Sequence, residues 1–196
     1  MGFGLLFLGY VFTVFDTGIL YIDSIAVVFM QVFRAFGWAV AFFGCLKLSA
    51  YIQKMKTACM CTACLGILSV ADTVLHCITT YGGISVDTAL RTVVFVLYAL
   101  FYFAFHFYML GGLCDITLST GLVKENKRSK TLFSVSMFFC AVNLVSCLGL
   151  WDALISLRYL LFVAVTLVIA FHIFTCYMWI GLPEEEKGEN DDGEET

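Results

Sequence analysis

Asp16, Gln31, Arg34, Asp72, His76 and Asn143 are polar or ionisable side chains set inside runs of apolar residues. Their types and spacing define the chemistry open to the chain. A carboxylate and a guanidinium can pair, an imidazole beside them can take up a proton, and an amide can bridge charged neighbours. Gln31 and Arg34 are spaced i, i+3 and Asp72 and His76 i, i+4, so on helices each pair occupies one face. Inside hydrocarbon an isolated charge costs about 2.5–3.5 kcal/mol on insertion scales, which turns such residues toward a bundle interior and a partner. Two readings follow. One is a structural ion pair that fixes helix register, costly to break because losing one partner strands the other charge. The other is a solvent-reachable cavity in which Asp72 or His76 takes up protons or a polar ligand. The residues alone leave both open.

The elements that must position these groups follow from composition. With 61% hydrophobic residues, 13% charged residues and a mean hydropathy of +0.95, the chain lies outside the soluble range. A hydrocarbon core requires about 20 apolar residues per helix, and such runs recur over residues 3–22, 25–47, 57–81, 89–113, 131–150 and 159–181. They are continuous rather than alternating, which excludes a transmembrane β-barrel. The expected fold is all-α: one domain over 1–182, a six-helix transmembrane bundle with short loops, followed by a disordered acidic tail over 183–196. The opening MGFGLLFLGY has neither a basic n-region nor a small-residue cleavage site, so the first run reads as a retained span.

Basic residues orient the bundle. Lys47, Lys54 and Lys56 follow the second run, Lys124, Lys127, Arg128 and Lys130 the fourth, and Lys187 the sixth, while the opposite face carries Arg91 and Arg158. The positive-inside rule then predicts that both termini are cytoplasmic. In that orientation Arg34 and Asp72 each lie about nine residues below the outer end of their spans, so at about 1.5 Å per residue they share a level. The same count brings Gln31 to the level of His76, and Asp16 and Asn143 join them in the outer half.

Other residue sets invite the same question. Tyr98, Tyr102 and His106 form an i, i+4 stripe below Arg91, suited to packing or to a ligand; Arg91 itself is expected to snorkel beside Asp87. Cys59, Cys61 and Cys64 resemble metal-ligand spacing, but at 100° per residue they point to about 0°, 200° and 140°, so Cys59 leaves the shared face. With Cys45, Cys114, Cys176, His106 and His172 on the same side, a soft-metal site is geometrically possible. The expectation is reduced, packed thiols with no metal or cofactor. Gly111 and Gly112 are read as loosening the end of the fourth span. Residues 114–130 then form the longest, solvated loop, where Glu125 has no evident partner and Lys124, Lys127, Arg128 and Lys130 meet anionic headgroups at about 1 kcal/mol per charge. No HExxH, GxSxG or Walker pattern is present, so no enzyme is expected.

The stretches MGFGLLFLGY, YMLGGLCDITLSTGLVKENKRS and CYMWIGLPEEE resemble uncharacterised small multi-spanning membrane proteins of Gram-positive bacteria. The resemblance implies a bacterial plasma membrane and a six-span layout, with no activity attached. This chain departs from that group at Cys114 and Asp115, where basic residues would stand after the glycines. The function expected is a non-catalytic accessory, sensory or assembly component. Its partners are the lipid bilayer and a membrane protein or second copy, not nucleic acid. The alternative is a small transporter or channel built on the Arg34 and Asp72 cluster. Pro183, the single proline, lies outside the spans and breaks none of them, which leaves Gly37, Gly44 and Gly66 as the possible helix breaks.

Overall fold

The computed structural model describes residues 2–13, 24–83, 88–146 and 155–181. They form six helices: α1 (Gly2–Thr13), α2 (Ser24–Leu48), α3 (Gln53–Tyr81), α4 (Thr88–Ser119), α5 (Val123–Ser146) and α6 (Ile155–Gly181). There is no strand among the described residues. Four helices contain stretches long and apolar enough to cross a membrane: Val27–Leu48, Gln53–Tyr81, Thr88–Ser119 and Leu161–Ile180. α1 is apolar but shorter, and Asp16 lies outside the described residues. α5 opens on charged turns.

Large apolar side chains point outward as well as inward. Phe29, Phe36, Phe43, Ile67, Phe138 and Phe171 are each more than half exposed. In water such a belt would be an association surface; in lipid it is the solvent-facing layer. Inside, Leu6, Tyr10, Trp38, Phe105, Met109, Leu113, Ile169 and Ile173 form the core. Successive helices pack as antiparallel neighbours from α1 to α5, and α6 returns to α1, where the Phe7 and Phe174 rings lie 5.4 Å apart.

Small residues set the tightest of these contacts. A Cβ placed on Gly9 would stand 2.3 Å from the Ala41 nitrogen, and one on Gly44 2.5 Å from the Leu6 nitrogen. Only glycine lets the α1 and α2 backbones approach this closely, the usual device where lipid supplies no hydrophobic drive between helices. Gly37 is a close-packing residue of an unbroken α2, not a helix break.

The α2–α3 and α4–α5 turns share one end, the basic end, where Lys54 pairs with Asp115 at 2.8 Å. Here the structure departs from the sequence expectation. Gly111 and Gly112 do not loosen α4, which continues to Ser119, and α5 begins at Val123. The residues expected to form a solvated loop over 114–130 are therefore helical on both sides of a turn at Thr120, Gly121 and Leu122, with Gly121 at φ +73°. Gly112 is a packing residue, since a Cβ there would stand 2.8 Å from Met55 Cε. The polar run after it folds because Lys and Glu are good helix formers and because it buries one face. Asn126 Nδ2 donates to the Cys114 carbonyl at 2.7 Å and to Thr117 Oγ1 at 3.1 Å, closing the turn.

Candidate functional site

At the opposite end of the bundle, Arg34 Nη2 on α2 donates to Asp72 Oδ2 on α3 at 2.7 Å. Gln31 Nε2, one turn earlier on the same face, lies 3.5 Å from the same oxygen. The guanidinium carbon sits 5.1 Å from the centroid of the Tyr98 ring on α4, a cation–π contact. Trp38 Nε1 in turn donates to Tyr98 Oη at 3.1 Å. Three helices thus hold one guanidinium, a permanent cation with a planar fork of donors.

The pair is unequally buried. The Arg34 side chain is 8% exposed and that of Asp72 is 46% exposed. Asp72 opens onto a hollow of about 340 Å³ that Leu75, His76, Arg91, Thr92 and Phe95 also line. His76 shares the Asp72 face, as its i+4 spacing predicts, but it does not meet Gln31. Its Nε2 lies 3.5 Å from Thr80 Oγ1, whereas Gln31 turns to the carboxylate, the stronger acceptor within its reach. Arg91 is exposed, and its Nη2 donates to Thr79 Oγ1 across the α3–α4 contact. Its expected neighbour Asp87 lies outside the described residues.

The remaining expected residues are not all brought together. Asp16 lies outside the described residues, and so does the side chain of Asn143, whose helix α5 packs mainly against α4. Lys124, Lys127, Arg128 and Lys130 are exposed on the first turns of α5 rather than on a loop. Arg128 Nη1 donates to Glu125 Oε1 at 2.9 Å.

The Tyr98, Tyr102 and His106 stripe is packed. Tyr102 and His106 rings lie 4.1 Å apart, and His106 Nδ1 is 2.8 Å from the Tyr102 carbonyl, to which it must donate. Nε2 is then the acceptor for the Tyr10 hydroxyl of α1. Both ring nitrogens are satisfied and His106 is 1% exposed, so it bridges α4 to α1 as a neutral core residue.

A second polar cluster takes two members, His172 and Cys176, from the possible soft-metal set and adds Glu125, for which the sequence offers no partner. At the basic end, Glu125 of α5 and His172 and Cys176 of α6 are buried together, with one ligand atom from each within 4.8 Å of the others. Ser129 Oγ lies 2.7 Å from His172 Nε2. Glu125 is thus not the partnerless loop residue expected, because Arg128 and His172 both approach it. The available signal was a pair of i, i+4 spacings, Glu125 with Ser129 and His172 with Cys176. Those spacings carry meaning only on helices, and the polarity of 114–130 predicts a loop. Cys59 and Cys61 are both buried in the core, and the Cys59 thiol lies 3.7 Å from the Phe42 carbonyl. The described cysteines are free thiols. Comparison of the chain with protein-family models, curated proteins and solved structures finds no match.

Proposed function

We propose that this chain is a non-catalytic sensory or accessory component of the bacterial plasma membrane, with both termini cytoplasmic, and that it binds a small polar ligand in the outward-facing hollow beside the Arg34–Asp72 pair. One observation carries the reading: Asp72 is the ionic partner of a buried guanidinium and yet is 46% exposed and lines a hollow of about 340 Å³. The opening eases desolvation of the carboxylate and leaves one side of it free to meet a ligand. Asp72 and Arg91 line the hollow with opposite charges and His76 stands beside them, which suits a small zwitterion or another ligand bearing both charges. A ligand that draws on Asp72 weakens its hold on Arg34, so α2 and α3 respond to occupancy. Such a shift is as large as the ligand's differential affinity for the two arrangements allows.

The second reading, a small transporter, draws on the same hollow, where the carboxylate of Asp72 and the imidazole of His76 stand one turn apart, with a packed aromatic column beneath the pair. Arg34 lies over Tyr98, Tyr98 stacks on Tyr102 at 6.2 Å, and Tyr102 adjoins His106. A thermal-shift screen of the full chain in nanodiscs against small zwitterions, amines and carboxylates tests the first reading. A hit lost in Asp72→Asn and Arg91→Gln supports it, and the absence of any shift across the three classes overturns it. Uptake of the same compounds into proteoliposomes under a pH gradient, abolished by Asp72→Asn, would replace sensing by transport.

A further inference from the structure

We propose that Glu125, His172 and Cys176 form a binding site for a zinc-type divalent metal ion at the basic end of the bundle, between the start of α5 and the end of α6. The three side chains offer a carboxylate, an imidazole and a thiol, the donor classes that bind such ions. Glu125 and His172 are each 4% exposed and Cys176 0% exposed, and one ligand atom from each falls within 4.8 Å of the others.

The carboxylate supplies the independent sign of a missing partner. Oε1 of Glu125 accepts from Arg128 Nη1 at 2.9 Å, but Oε2 is buried and makes no hydrogen bond. Its polar neighbour is His172 Nδ1 at 3.5 Å. On the far side of the ring, Ser129 Oγ stands 2.7 Å from Nε2. When Nε2–H donates to that hydroxyl, the lone pair of Nδ1 faces Oε2. Two acceptors then confront one another across a gap suited to a cation. Metal-bound histidines are commonly oriented in this way, with the second ring nitrogen hydrogen-bonded to a fixed neighbour.

Distance supports the assignment. Bonds of about 2.0–2.3 Å in tetrahedral geometry separate ligand atoms by about 3.3–3.8 Å, and Oε2 and Nδ1 already stand 3.5 Å apart. The Cys176 thiol lies 3.6 Å from Nε2, on the Ser129 side of the ring. Its ligand atom is within 4.8 Å of the other two, and it closes on them by turning about its Cα–Cβ bond, where a step between staggered rotamers carries the sulfur about 3 Å. Charge also balances. One carboxylate, one thiolate and a neutral imidazole cancel a divalent cation, with a water in the fourth position, and the Arg128 guanidinium paired with Oε1 is half exposed and leaves its charge to solvent. Loading forms a metal–sulfur bond and releases the thiol proton to solvent.

The test uses the full chain in nanodiscs, stripped with chelator and titrated with Co²⁺ alone. The expected result is a saturable thiolate-to-cobalt charge-transfer absorption with visible d–d bands, erased by Zn²⁺. Cys176→Ser abolishes the charge-transfer band, Glu125→Gln weakens Co²⁺ affinity about tenfold or more, and Cys61→Ser retains both. If Cys176→Ser fails to fold by circular dichroism, His172→Gln is measured in its place and is expected to lose the d–d bands. A folded wild type that gives no cobalt spectrum, or a spectrum unchanged in Glu125→Gln, overturns the proposal.

Discussion

Arg34 and Asp72 share one ion pair of 2.7 Å with opposite surroundings, the guanidinium 8% exposed and the carboxylate 46% exposed. This inequality makes the two single substitutions differ. Asp72→Asn leaves a buried cation facing a weaker acceptor, whereas Arg34→Gln leaves a carboxylate that the open hollow can hydrate. Removing a partner from a fully buried pair costs about 3–5 kcal/mol. Half-exposure reduces that, so Asp72→Asn is expected to cost about 1–3 kcal/mol and Arg34→Gln less. The double substitution should recover part of the loss, which thermal melting in detergent measures as a double-mutant cycle.

Glycine positions divide sharply by what surrounds them. Gly44→Ala places a Cβ 2.5 Å from the Leu6 backbone nitrogen, while Gly4→Ala meets nothing within 4 Å. Overpacking of this kind costs about 1–3 kcal/mol or more where backbone is the obstacle. Gly44→Ala is expected to lower the melting temperature by several degrees and Gly4→Ala to leave it within error.

Resistance to protease distinguishes a helical 123–130 from a loop. Lys124, Lys127, Arg128 and Lys130 are exposed, so trypsin can reach them, but cleavage requires local unfolding of α5. Slow cutting is expected in the intact chain. Asn126→Ala removes the bonds to the Cys114 carbonyl and Thr117 Oγ1, costs about 1–3 kcal/mol, and accelerates cutting at these sites. Rapid cleavage of the unaltered protein at Lys127 would contradict the helix.

The Trp38 to Tyr98 hydrogen bond offers a fourth check. Tyr98→Phe removes the acceptor of Trp38 Nε1 while keeping a ring under Arg34. The expected loss is about 1 kcal/mol, with Trp38 fluorescence shifted because its indole N–H is left unpaired.

How much of this was legible before the structure depends on how far apart in the fold the partners lie. Arg34 and Asp72 stand on consecutive antiparallel helices, so counting about nine residues down from the outer end of each span assigns them the same depth and helical phase assigns them facing sides. The cluster of Glu125, His172 and Cys176 joins α5 to α6 at the ends farthest along the chain from their connection. No local count reaches across it. Gly112 misled for a different reason: beside Gly111 it reads as a helix breaker, and only the Met55 side chain packed against it shows why the helix passes through unbroken. The charged run after it reads as solvated loop by polarity alone, although Glu125, Asn126 and Ser129 fall on one buried stripe.

The glycine seam between α1 and α2 has a mechanical consequence. With main chain against main chain at Gly9, Gly37 and Gly44, neither helix can roll about its long axis without driving atoms into each other. The two behave as a single stiff plank. A tilt imposed on α2 where Arg34 sits is therefore handed undiminished to the amino-terminal rod, which carries it toward the basic end, where Gly2 rests on Leu48.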